Sequence, residues 1–503
     1  MTGAASAQSA EPADLEAVEA ARQIRSGELS PVELFESCVA RIEAVDPAVN
    51  AMVTRSFERG RLEAQQAADA VVSGGPSGAL HGLPVAIKDL QPTEGITTTF
   101  GSERFAHHVP SEDAGIVARV RAAGGIVIGK TNIPEMSIGA NTVNRLFGAT
   151  GNPFDVDRSC GGSSGGSAVA LATGMAPLAT GSDHGGSLRI PACYCGVVGV
   201  RSSPGLVPHE GRTISQTNYS LQGPMGRTVR DAALLLSVVA VRDRSSRRDP
   251  MAFPLDAAGL AQIEPLEVAE LRIGVTDDLG GVMVSETVRR SFASRVEALT
   301  RLGADVVPVP VDLTPASEID WQLRADVFAT QYHRDIESYD EGFNPNVLRT
   351  YENALSTSVL EIARARRGQM ELFQSFDAIF DDVDVVLCPG VSVPPFPWRD
   401  LFPREVDGAA VENYMAWLAL SAALTVVGNP VTALPTGLDE QGTPFGVQVV
   451  GPMHGDRRVL SAASALEAAF AGTEFRRPEP DLGYLRTVES RCREDGVTVQ
   501  LGD

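Results

Sequence analysis

Lysine is almost missing from this chain: of 42 Lys and Arg residues, only Lys88 and Lys130 are lysine. A guanidinium stays protonated at any working pH, whereas a buried amine can be neutral. Two retained lysines among arginines therefore point to positions that need an amine. Cysteine is sparse too. Cys38, Cys160, Cys193, Cys195, Cys388 and Cys492 are scattered and form no CxxC pair. That excludes a disulfide-stapled fold and points to a reducing cytoplasm. The first thirty residues lack a basic start followed by an apolar run, so no signal peptide is expected. The best membrane candidate, 414–427, breaks at Gly428-Asn429-Pro430, well short of the roughly 20 residues a span requires. The seven histidines include one adjacent pair, His107-His108, and no metal-ligand spacing. Neither a metal nor a cofactor is expected. Basic charge is in deficit: 64 acidic residues give a net charge of −22, which argues against autonomous nucleic-acid binding and against a polybasic membrane surface.

What is present reads as an ordinary globular chain, 43% hydrophobic and 21% charged over 503 residues. Helices are predicted over 15–26, from Ser30 to Asp46-Pro47, and over 56–72. Ser30, Pro31 and Glu33 form a capping box with proline at the first helical position. From about Leu80 onward, short apolar runs alternate with helical segments. Strands are predicted at 83–87, 126–128, 197–200, 271–275, 305–311, 385–388, 431–434 and 446–450, with helices at 114–123 and 285–302. Such alternation predicts an α/β fold with a largely parallel or mixed sheet covered by helices on both faces. Residues 1–75 read as an N-terminal helical region, 80–310 and 375–475 as sheet core, and 315–420 as a helical cap over a site.

Two glycine motifs imitate known sites. Gly124 to Thr131 matches GxxxxGK[ST] letter for letter, yet a helix precedes it and its supposed loop, Ile126-Val127-Ile128, is itself a strand, so the phosphate-loop reading fails on context. Gly161-Gly162-Ser163-Ser164-Gly165 matches the nucleophile elbow GxSxG, but the polar run 152–159 before it lacks a delivering strand. The stronger signal joins this cluster to a second one, Gly181-Ser182-Asp183-His184-Gly185-Gly186-Ser187-Leu188-Arg189. The two serine clusters lie 24 residues apart, from Ser163 to Ser187, across a small-residue segment read as helical. Glycines in such runs let backbone N–H groups approach a ligand.

These residues strongly resemble the amidase signature family. The resemblance includes Gly82-Leu83-Pro84-Val85-Ala86-Ile87-Lys88-Asp89, Gly129-Lys130-Thr131-Asn132, both serine clusters and Cys195-Gly196-Val197-Val198-Gly199. It resumes at Gly223-Pro224-Met225, Gly428-Asn429-Pro430 and 446–452. It implies one α/β/α domain with a large mixed sheet and a Ser, cis-Ser, Lys triad. Ser187 matches the nucleophile, Ser163 the bridging serine after a cis Gly162-Ser163 bond, and Lys88 the base. The N–H groups of His184, Gly185, Gly186 and Ser187 match the oxyanion hole, and Ser137, Ile138 and Gly139 match the acyl pocket. Asp183 and Arg189 are read as a structural ion pair, and His184 as pocket wall. Arg201 stands where relatives often have lysine.

The chemistry agrees. A hydroxyl attacks a carbonyl at neutral pH only with a base in reach, and lysine serves when burial lowers its pKa. The expected function is hydrolysis of a carboxamide or related C–N bond, in small or aryl amides, anilides, carbamates or esters, through a serine acyl-enzyme. The partner is a small amide or carbamate, without nucleic acid or membrane, and a homodimer is left open. The alternative is the glutaminase subunit of a tRNA-dependent amidotransferase. Those subunits usually carry glutamine after the loop arginine, where this chain has Ile190.

Overall fold

A computed structural model describes residues 11–75, 78–263, 266–337 and 343–488; Cys492 lies outside them. Three helices open the described chain: α1 (Ala17–Ser26), α2 (Pro31–Val49) and α3 (Phe57–Ser73). The capping box on α2 forms as expected: Val32 N–H donates to Ser30 Oγ at 3.2 Å, and Ser30 N–H donates to Glu33 Oε2 at 3.0 Å. The expected stop at Asp46-Pro47 does not hold. The helix runs through Pro47 and ends where Asn50 turns left-handed at φ 54°, a conformation asparagine adopts more readily than most residues. Asp46 Oδ1 then accepts N–H bonds from Ala51 and Met52 at 2.7 and 2.9 Å, turning the chain into a strand.

That strand, β1 (Met52–Arg55), opens an 11-stranded sheet. The others are β2 (Pro84–Lys88), β3 (Ile126–Thr131), β4 (Leu178–Asp183), β5 (Val198–Arg201), β6 (Leu221–Gly226), β7 (Arg272–Val275), β8 (Asp305–Pro308), β9 (Val385–Pro389), β10 (Val431–Leu438) and β11 (Pro444–Val450). Their spatial order is β1-β3-β2-β4-β6-β5-β10-β11-β9-β7-β8. Parallel pairing joins β3, β2 and β4 near one end and β9, β7 and β8 at the other; every other pair is antiparallel. The sheet is thus mixed, with an antiparallel middle.

Every residue of β2, β3, β4, β5, β6 and β11 is buried. Side chains alternate between faces, so both faces are covered. Helices α5 (Gly165–Ala172) and α6 (Arg189–Cys195) pack on each other and on the central strands; α7 (Val229–Val239) and α13 (Asp456–Ala471) pack on each other and on strands of the same region. Helix α4 (Gly115–Ala122) lies against α7, and α8 (Glu286–Arg301) against β8 and β9.

Three strands had no sequence signal: β1, β4 and β6. Glycine explains β4 and β6; β1, Met52-Val53-Thr54-Arg55, has none and is only 4 residues long. A Cβ on Gly181 in β4 would lie 2.5 Å from Leu188 Cδ2, and one on Gly223 in β6 would lie 2.5 Å from the Val200 carbonyl oxygen. These strands need glycine because neighbours approach closely, and glycine erases the apolar pattern that marks a strand. The small-residue segment between the serine clusters is therefore helical only in its first half, and β1 places an edge strand inside the region read as helical.

Within 315–420 lie helices α9 (Ala316–Glu337), α10 (Pro345–Ser356) and α11 (Val359–Asp377); α9 packs against both and against α12 (Ala419–Val427). Among the described residues, no helix is long and apolar enough to cross a membrane.

Candidate active site

The parallel pairing of β2 with β4 brings the C-terminal ends of both strands to one place, Val85 opposite Leu178 and Ala86 opposite Ala179. Lys88 ends β2, and Ser182 and Asp183 end β4. The loop before α5 closes over them, with a cis peptide bond between Gly162 and Ser163. Lys88 Nζ lies 2.7 Å from Ser163 Oγ, 2.9 Å from Ser164 Oγ and 2.8 Å from Ser182 Oγ. Its side chain is fully buried. Burial drives the lysine well below its ordinary range, against the opposing pull of the Asp183 charge. A neutral amine has two N–H donors and one lone pair, so three hydroxyls around it require one to donate. Ser164 Oγ also lies 3.3 Å from the Ser182 carbonyl oxygen, whereas Ser163 and Ser182 both line the cavity, and Ser163 Oγ is the nearest of the three to Nζ.

The Ser187 loop is held from behind. Asp183, fully buried, accepts from Arg189 Nε at 2.9 Å and Nη2 at 3.0 Å, and from Arg201 Nη1 at 3.1 Å. Burial alone would raise this carboxyl, but the two guanidiniums hold it below the usual carboxylate range. Asp183 also accepts the N–H groups of Gly186 at 2.9 Å and Leu188 at 3.2 Å. Of the four amides matched to the oxyanion hole, Gly186 is thus already committed to Asp183. Among the described residues, no protein acceptor takes the N–H of Gly185 or Ser187. The Ser187 hydroxyl is likewise not engaged by another described side chain.

A cavity of about 660 Å³ opens in front of this loop and is lined by Ser163, Ser182, His184, Gly185 and Ser187. Ser137, Ile138 and Gly139 line it too. Met136 and Ser137 both have left-handed backbones, at φ 54° and 59°, which turns this segment sharply beneath the site. Further wall comes from α9, α10 and the segment before α12, including Phe328, Thr350 and Tyr414. His184 Nδ1 lies 2.9 Å from Ser220 Oγ, its ring sits 4.8 Å from that of Tyr219, and burial pushes the imidazole well below its ordinary range.

Lys130, the other lysine, does something different. It is buried in β3, where Nζ bonds the Gln91 carbonyl, Thr93 Oγ1 at 2.9 Å and Thr98 Oγ1 at 2.9 Å, with Asp89 at 4.0 Å. The GxxxxGK[ST] match is thus a helix-to-strand connection whose lysine is an internal staple. The residues before Ser163 do contain a short strand, Asp155–Ser159, but it pairs with Gly151–Asn152 and, through an Arg158–Pro397 bridge, with the 396–398 segment, outside the main sheet. The sequence pattern assigns neither Ser164 nor Ser182 a role on Lys88, although both lie inside the two clusters. It marks Arg201 only as a replacement for lysine, whereas Arg201 holds the carboxylate behind the Ser187 loop.

A family model described as Amidase matches residues 33–460. The chain belongs to this family, that of the amidase signature enzymes, and is an amidase, a hydrolase that acts on amides. It is 32% identical over 457 residues to an acylamidase of Rhodococcus erythropolis, covering 90% of this chain and 95% of that protein. It is 34% identical over 490 residues to one of the subunits of the glutamyl-tRNA(Gln) amidotransferase of Streptomyces coelicolor, covering 91% and 96%. Among solved structures, a bacterial aryl acylamidase of the amidase signature family aligns with a TM-score of 0.82 at 28% identity, covering 90% and 96% of the two chains. A 6-aminohexanoate cyclic dimer hydrolase aligns with a TM-score of 0.80 at 27% identity, covering 94% and 100%.

Proposed function

We propose that this amidase cleaves carboxamides bearing an aryl or similarly apolar group, through an acyl-enzyme on Ser187. Neutral Lys88 takes the proton of Ser163, and Ser163 takes that of Ser187 as its Oγ attacks the carbonyl carbon. The N–H groups of Gly185 and Ser187, which lack protein acceptors among the described residues, are the donors for the developing oxyanion, with that of His184 beside them. As the C–N bond breaks, the proton returns along the same relay to the leaving nitrogen. Water, activated by the relay, then attacks the ester and releases the acid and Ser187.

The observation that carries this reading is Lys88: fully buried, 2.7 Å from Ser163 Oγ, and shifted toward its neutral form. The apolar walls and the acylamidase relatives support aryl amides and anilides, with carbamates (urethanes) and esters as chemically related substrates. Asp183 and Arg189 act as structural support, and 1–503 works as one domain with 315–420 as its substrate-facing cap. The cytoplasm is the compartment that suits buried thiols such as Cys38, Cys193 and Cys388. The reading as part of an amidotransferase, which similarity keeps in view, is weaker because Ile190 brings an apolar side chain to the cavity. Purified enzyme offered matched anilides, primary amides, carbamates and esters tests the assignment. Fastest turnover of anilides is expected, and a preference for glutamine over every anilide overturns it.

A further inference from the structure

The cap places a charged group in the cavity that the relay does not use. Arg324, on α9, is 7% exposed and lines the cavity. Among the described residues its one hydrogen bond is long, 3.5 Å from Nη2 to Asp320 Oδ2, and its Nε is buried without a hydrogen-bond partner. A guanidinium carries five N–H donors, and buried donors are ordinarily satisfied. Arg324 Nη2 lies 2.9 Å from where a Cβ on Gly185 would be, so it borders the loop that carries Ser187. A second orphan is nearby: His184 Nε2 is buried with no partner among the described residues. The 2.9 Å contact between Nδ1 and Ser220 Oγ fits either tautomer; the subsite uses the one in which Ser220 donates to Nδ1 and Nε2 carries the imidazole proton.

We propose that Arg324 and His184 form a polar subsite for a neutral hydrogen-bond acceptor, a carbonyl or ether oxygen, carried by the substrate away from its scissile amide. The proposal rests on the amidase reading above and names the substrate class. Asp320 decides the charge. It is buried within 3.5 Å of Arg324 Nε, so the pair is close to neutral overall, and an incoming carboxylate would meet Asp320 at short range in a poorly screened site. A neutral oxygen takes the spare donors without that repulsion. The rest of the wall includes Phe100, Phe105, Met136, Phe328 and Leu418 alongside the acidic Glu112, Asp113 and Glu210; acidic neighbours add to the bias against a carboxylate, and the Arg324 and His184 donors beside the Ser187 loop fix the orientation of a largely apolar ligand. Buried donors left unpaired discriminate against an analogue that lacks the acceptor.

The test compares matched anilides, one bearing a methoxy or acetyl group and one its hydrocarbon isostere, with the substituent placed on the acyl side or on the ring. Affinity is read by calorimetry on Ser187→Ala protein, and kcat/KM on protein with Ser187 intact. In at least one placement the acceptor-bearing member is favoured about 10-fold or more, and Arg324→Met brings that ratio near one. Asp320→Asn shifts preference toward the corresponding carboxylate, and this gain cannot arise from a variant that fails to fold. Equal loss on both members in Arg324→Met, or no acceptor preference in either placement, overturns the subsite. Acceptor-selective binding without turnover would leave the subsite standing and count against the hydrolytic reading instead.

Discussion

Arg201 Nη1 lies 3.1 Å from Asp183 Oδ1, with both side chains fully buried. A second guanidinium thus shares the carboxylate that Arg189 already grips at 2.9 Å. Arg189 in turn bonds the Ser421 carbonyl, Thr425 Oγ1 and Gln448 Oε1, tying the Ser187 loop to α12 and β11. The carboxylate makes both buried arginines tolerable, and removing it leaves two uncompensated charges.

Asp183→Asn should therefore destabilise the protein by about 3 to 5 kcal/mol, and Arg201→Met by less, because Arg189 stays paired. The sign with pH follows from the depressed Asp183 carboxyl. Its contribution is complete above the unfolded value, near 4, and is lost as pH falls through the lower folded value. Thermal unfolding at several pH values checks this: the gap between wild type and Asp183→Asn should persist from about pH 8 to about 5 and narrow only in strong acid.

An acylating or phosphonylating probe should label Ser187, and Ser187→Ala should abolish both labelling and turnover. Peptide mapping reads the result. An adduct on Ser163 or Ser164 would return the first serine cluster to the role of nucleophile.

Turnover should survive EDTA, because the proposed relay would supply proton transfer from side chains alone. Among the described residues, no three His, Cys, Asp or Glu side chains form a metal-binding group. A loss on chelation that zinc restores would refute this.

The pH profile should rise through a single limb as Lys88 loses its proton, at a pH well below the ordinary lysine value, and then plateau. His184 is held neutral by burial, with Arg324 and Arg201 adding to the effect, and should contribute no inflection near its ordinary 6.5. Initial rates on one good anilide between about pH 5 and about 10 decide this.

Much of the candidate site was legible because the residues the structure brings together there, Lys88 and the two serine clusters, are rare or compositionally distinct. Lys88 stands out against arginine, and the serine clusters announce themselves by composition. The capping box at Ser30 and the strands at 83–87 and 446–450 follow from local pattern. What stays hidden lies where tertiary contact overrides that pattern. Strands β4 and β6 carry glycine at the points where Leu188 and Val200 press against them, so no alternation survives. Helix α2 passes Pro47 because the turn is set by Asn50. Arg201 and Arg324 sit 18 and 141 residues from Asp183 along the chain, distances no local window connects.

The central claim is that Lys88 moves protons rather than placing charge, and substitution by arginine tests it most directly. Lys88→Arg keeps a positive charge but cannot become neutral, and it adds bulk to a fully buried site. Compared by kcat/KM on one anilide, Lys88→Arg and Lys88→Ala should be similarly damaged, each by several orders of magnitude. If Lys88→Arg keeps more than about a tenth of wild-type kcat/KM, a loss under roughly 1.4 kcal/mol, the lysine is positioning charge and the relay is wrong at its base.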